Sequence, residues 1–167
     1  MLSYEEALQH LLAAATPVEE VKWVPLAAAR GRILAAAQQS TVTVPPLDNS
    51  AMDGYAVRAS DVAGADQNSA VRLPIRGESR AGGPLPADSA PGTVCRIFTG
   101  APIPAGADTI VLQEDAEREG DEVLIREAWP PGTHIRAQGS DLRVGAVLLR
   151  PGDRLWPGEI GLLASQN

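Results

Sequence analysis

PPLDNSAMDGYAVR, residues Pro45 to Arg58, is the stretch on which the reading of this chain turns. Its two prolines end a part of mixed helical and extended character. Its last residues, Tyr55–Arg58, open a series of short β-type runs. Between them lies a polar cluster, Asp48, Asn49 and Ser50, followed by Asp53-Gly54, a strong turn signal. Side chains of these types cap or brace loops by bonding nearby backbone groups. Residue type alone favours that bracing role over a ligand-binding one.

On the N-terminal side, residues 3–15 read as an amphipathic helix. Ser3 and Glu6 have the spacing of a capping box, in which each side chain satisfies a free N–H of the first turn. Tyr4, Ala7, Leu8, Leu11 and Leu12 share one helical face, and Thr16-Pro17 ends the run. A short helix fits Leu26–Arg30, with Gly31 as its C-cap, and 32–44 is expected to run extended.

On the C-terminal side the β runs are Tyr55–Arg58, Val71–Ile75, Thr93–Phe98, Thr109–Gln113 and Glu122–Arg126. Glycine and proline punctuate them, and Glu119-Gly120-Asp121 reads as a hairpin turn between two β runs. The pattern predicts a small antiparallel barrel or sandwich over about 47–140. Residues 142–155 add one more β unit, and Pro157–Ser165 a closing helix. The ending GLLASQN reads as a cut, so a longer parent chain is expected.

Composition narrows the function classes. Hydrophobic residues make up 44% of 167, enough for a core, but aromatics only 4%. Fourteen basic and 21 acidic residues give a net charge of -7. That balance argues against nucleic acid or an anionic membrane as the main partner. The single cysteine, Cys95, excludes an internal disulfide and reads as a small buried hydrophobe. No signal peptide or membrane span is visible, and a cytoplasmic location is expected. Phosphate-loop and dinucleotide-turn motifs are absent. His10 and His134 lack ligand-like spacing; His10 reads as a surface residue.

Further segments place polar groups where packing gives no reason for them. Thr99-Gly100 follows a β run and reads either as an ordinary turn or as a phosphate contact. Asp141, in Gly139-Ser140-Asp141, either caps a turn or binds a hard cation. PLAAARGRIL, 25–34, reads as a short packing helix.

Together these blocks carry a resemblance. PPLDNSAMDGYAVR closely resembles the signature of the MoeA family of molybdopterin molybdenumtransferases, which includes the C-terminal enzyme domain of gephyrin. PLAAARGRIL, RIFTGAPIPAGADTIVLQED and IRAQGSDLRVGAVLLRPG follow in the family's order and approximate spacing. The resemblance implies an α+β fold: an elongated discontinuous domain of helices and strands, 1–46 plus 141–167, with a small β-barrel-like domain inserted at 47–140. The family's next domain, which binds molybdopterin, is expected to be absent from this chain.

The resemblance also implies a reaction. Molybdate is inserted into adenylylated molybdopterin in a Mg2+-dependent step that releases AMP. By motif position, Asp53, Thr99 and Asp141 match family active-site residues. Asp53 is expected to position metal or water, Thr99 to contact a substrate phosphate or the pterin, and Asp141 to support electrostatically. Asp53 and Asp141 are the candidate Mg2+ ligands. Asp48, Asn49, Ser50 and Gly100 are candidate substrate-binding residues. The implied partners are the two substrates, a second copy of the chain in a homodimer, and other proteins of molybdenum-cofactor synthesis. The alternative is a dimerisation or binding module without independent catalysis.

Overall fold

Ser3 starts the first helix as its spacing with Glu6 predicts. In the computed structural model, which describes residues 2–166, the Glu6 N–H donates to the Ser3 hydroxyl at 3.2 Å, and the Ser3 N–H to the Glu6 carboxylate at 2.8 Å. This helix, α1 (Tyr4–Ala14), stops where Ala15 turns extended before Thr16-Pro17. Its apolar face is not covered: Tyr4, Leu8, Leu11 and Leu12 are exposed, and no α1 residue is buried.

A 3-10 turn, Leu26–Ala28, follows Pro25, and Gly31 takes the left-handed conformation (φ 79°) beyond it. The chain continues through β1 (Gln38–Gln39), β2 (Asn49–Ser50), β3 (Gly54–Val57), α2 (Ala59–Val62), β4 (Val71–Ser79), β5 (Val94–Ile97) and β6 (Thr109–Leu112). A 3-10 turn at Gln113–Asp115 leads into β7 (Ala116–Glu119), β8 (Glu122–Ile125), β9 (Ile135–Arg136), β10 (Val147–Leu149) and α3 (Pro157–Ala164).

These elements form two compact units. One joins the N-terminal residues up to Gln38 with Leu148–Ser165. Its core is Ala29, Leu149 and Leu155, packed by Leu26, Leu34, Ile160 and Leu163. Backbone bonds lace its two segments together: Gly31 N–H to Leu155 O at 2.7 Å, and Leu155 N–H to Arg32 O at 2.9 Å.

The other unit, Gln39–Val147, is built on a curled six-stranded sheet of order β6-β3-β5-β4-β8-β7. β3 lies antiparallel between β5 and β6, and Gly120 (φ 61°) makes the expected turn, although the strand that enters it is β7 rather than the 109–113 run. The expected all-antiparallel pairing is corrected at one place, because β4 and β5 run parallel. Residues 80–93 connect them, and a link of about a dozen residues or more lets a chain return to start a parallel strand. β6 and β7 are the sheet's edges, so it is an open sheet among the described residues. β2 pairs separately with β9, bringing Asn49 opposite Arg136.

Successive side chains alternate across a strand, and here both faces are buried. Tyr55, Val57, Val94, Val111, Val123 and Ile125 share one cluster. Ala56, Cys95, Ile97 and Ile110 share the other with Ala101, so Cys95 is the buried hydrophobe the sequence suggested. Gly54 departs from its turn reading. It is the first residue of β3, and a Cβ there would lie 2.0 Å from the Val111 carbonyl oxygen. The glycine permits strand contact; the bend falls on residues 51–53.

Candidate functional site

In the β3–β5 pair, Gly54 faces Ile97. The residue before β3 and the residues after β5 therefore emerge side by side. These are Asp53 and Phe98-Thr99. One oxygen of Asp53, Oδ1, accepts from the Thr99 N–H at 2.8 Å and from the Thr99 hydroxyl at 2.7 Å. The Thr99 hydroxyl, then its amide, hold the Asp53 carboxyl below the usual aspartate range, aided by the nearby Arg96 charge. Asp53 is a carboxylate whose Oδ2 takes no part in the Thr99 bonds.

The geometry also defines what this corner can donate. The Thr99 hydroxyl proton and N–H both point to Asp53. The Gly100 N–H donates to Ser50 O at 2.8 Å, and the Ala101 N–H to Phe98 O at 2.9 Å. No backbone donor is left over at 99–101 to cradle a phosphate. Thr99 offers a ligand only oxygen lone pairs.

The polar cluster ahead of Asp53 serves as a brace. Ser50 is fully buried, with its hydroxyl donating to Met52 O at 2.5 Å and its N–H to Ala101 O at 3.0 Å. Asp48 Oδ1 accepts from the Gln138 N–H at 2.7 Å, and the Gln138 side chain donates to Pro46 O at 2.7 Å. Asn49 sits on β2, and its buried Oδ1 has no protein partner. Three sequence blocks thus meet here: 48–53, 98–103 and 134–141.

Asp141 is placed differently. Both its oxygens accept from Arg136, at 2.6 and 2.8 Å, and Oδ1 also accepts from the Ser140 hydroxyl at 3.1 Å. Arg136, then Ser140, lower its pKa. It bonds to neither Asp53 nor Thr99. A magnesium ion would have to displace a guanidinium from Asp141, whereas Asp53 has an oxygen to offer. Among the described residues no three His, Cys, Asp or Glu side chains cluster to hold a metal. His10 is exposed on α1, and His134 packs against Trp129 with ring centroids 5.5 Å apart.

The sequence reading passed over Arg96. It lies on β5 opposite Tyr55, donating to Gly54 O at 2.9 Å and to Gln113 Oε1 at 2.6 Å. Its guanidinium sits 4.7 Å from the Phe98 ring centre and 5.2 Å from that of Tyr55. The available signal was the strand phase: Val94, Arg96 and Phe98 alternate against Cys95 and Ile97, which puts a charge on a core-facing row.

A mixed helix-and-strand chain with a curled sheet, and a carboxylate–threonine pair where β3 and β5 meet, is the class these features define. The chain belongs to the family described as the MoeA N-terminal region (domain I and II), whose model matches residues 2–166. It is 42% identical over 167 residues to a molybdopterin molybdenumtransferase of Synechococcus elongatus, covering 99% of this chain and 41% of that protein. It is 38% identical over 162 residues to molybdopterin molybdenumtransferase 2 of Mycobacterium tuberculosis, covering 97% of this chain and 39% of that one. A crystal structure of the molybdopterin biosynthesis moeA protein from Pyrococcus horikoshii superposes with a TM-score of 0.89 at 34% identity, over 99% of this chain and 44% of that one. The chain thus spans about two-fifths of the length of these relatives. No helix among the described residues is long and apolar enough to cross a membrane.

Proposed function

We propose that this chain supplies one wall of the active site of a molybdopterin molybdenumtransferase, acting in molybdenum-cofactor synthesis. The observation that carries this reading is the Asp53–Thr99 pair, an ionised carboxylate held by two hydrogen bonds at the ends of β3 and β5. The substrates are molybdate and adenylylated molybdopterin, whose pyrophosphate link is cleaved by water with release of AMP. Magnesium binds through one or two carboxylates plus substrate phosphates, and Asp53 is the residue here that fits it. The ion, when bound, neutralises charge developing on the phosphates and orients water.

This chain's own residues then have separate tasks. Thr99 fixes Asp53, accepts a hydrogen bond from bound water or from the pterin, and keeps the carboxylate ionised. Asp141 holds Arg136, whose charge faces anionic substrate. Asp48, Asn49, Ser50 and Gly100 shape and brace the wall. Carboxylates do not hold molybdate, itself an anion, so the remaining cationic groups come from the part of the protein beyond this chain.

We further assign the six-stranded sheet to the family's inserted barrel-like domain, 47–140, and the remainder to its discontinuous domain. The working form is a cytoplasmic homodimer; the uncovered apolar face of α1 supports assembly with another surface. The direct test is Asp53→Asn in the complete protein. Folding and oligomeric mass should persist, while molybdenum insertion falls by about a hundredfold or more, the scale of losing a positioned acid–base group. Wild-type insertion in that variant would remove Asp53 from the chemistry.

A further inference from the structure

Arg96 is half-buried at the end of a β5 row that begins in the core. Val94, on the same face of β5, is fully buried, and the register partner Tyr55 is only 4% exposed. A cationic side chain on such a row is costly unless its donors are satisfied. The partners found are a backbone carbonyl, a side-chain amide and two aromatic rings rather than a carboxylate. The planar guanidinium suits this set, because it stacks on rings while donating in a fixed fork.

Those partners tie three strand ends together. Gly54 begins β3, immediately after Asp53. Gln113 follows β6, and its N–H donates to the Asp53 carbonyl at 3.1 Å. Phe98 follows β5, immediately before Thr99. Arg96 therefore bonds Gly54, next to Asp53, and Gln113, whose own N–H holds the Asp53 carbonyl, and it stacks on Phe98, next to Thr99. We propose that Arg96 is the positioning residue of this site, clamping Gly54 and Gln113 so that Asp53 meets Thr99. This rests on the reading of Asp53 as the working carboxylate.

The test compares Arg96→Gln and Arg96→Lys with the wild-type chain by NMR. Hydrogen exchange is followed at the Thr99 amide. Arg96→Gln should speed Thr99 exchange by about tenfold or more. The core amides of Val57 and Ile125 should keep their protection. Arg96→Lys keeps the charge but loses the fork, so Thr99 exchange should rise there too. If Arg96→Gln does not fold, the Lys variant carries the exchange test. Unchanged Thr99 exchange in the folded variants overturns the proposal. So does an increase matched across the core amides, which would mark Arg96 as a general stabiliser. This readout needs no turnover. A fully active Asp53→Asn protein would defeat the catalytic reading and leave the clamp standing.

Discussion

Asp53 and Thr99 show what a single contact does to a carboxylate. Because the fold binds the ionised form, the folded-state pKa lies below that of the unfolded chain. The associated stabilisation is complete above the unfolded value and fades as pH falls through the depressed one. Thr99→Val removes the hydroxyl but keeps the amide bond. The Asp53 midpoint should then rise part of the way toward the ordinary value, as seen by carboxyl-carbon NMR titration. The hydroxyl is the larger of the two Thr99 influences, so an unmoved midpoint would contradict the geometry. The sequence carried both residues through the family signature, yet their direct bond was not legible, since 46 positions separate them. The direction of the Thr99 hydroxyl proton likewise became visible only in three dimensions.

At the scale of elements, β3 explains why Asp53 is followed by glycine. The local sequence reads as a turn, and turn chemistry is what residue types report best. Strand crowding depends on the neighbour β6, a non-local fact that no dipeptide announces. Gly54→Ala should therefore destabilise the chain by about 1–3 kcal/mol, the usual range for forcing extra atoms into a packed interior. Urea unfolding would check this, and a midpoint equal to wild type would mean the strands part easily at that point. Elsewhere the local signals sufficed. The Ser3–Glu6 box placed α1, and the alternating runs placed β3, β5, β6 and β8 to within a residue or so. β7 went unassigned because Ala116–Glu119 is mostly polar and exposed, leaving no apolar alternation to read. The parallel β4–β5 pairing was likewise hidden, because a long glycine- and proline-rich loop does not disclose the direction in which the next strand runs.

For the whole molecule, charge and length set the limits. A chain of net charge -7 that spans 41% of its Synechococcus relative is, on the proposed reading, a poor host by itself for two anionic substrates. Supplied with adenylylated molybdopterin, molybdate and magnesium, this chain alone should release no AMP, whereas the complete protein should. Chromatographic measurement of AMP decides the matter, and steady release by the chain alone would show that its wall is sufficient. Ser50 carries a last implication. Its backbone is bonded to Ala101 and Gly100, while the neighbouring Asp48 receives Gln138 from a third segment. The signature peptide thus has no private scaffold. Cut out as a synthetic peptide, or spliced into a foreign loop, it would keep its letters and lose its shape. A transplant of this corner into another protein would need all three segments moved as one block.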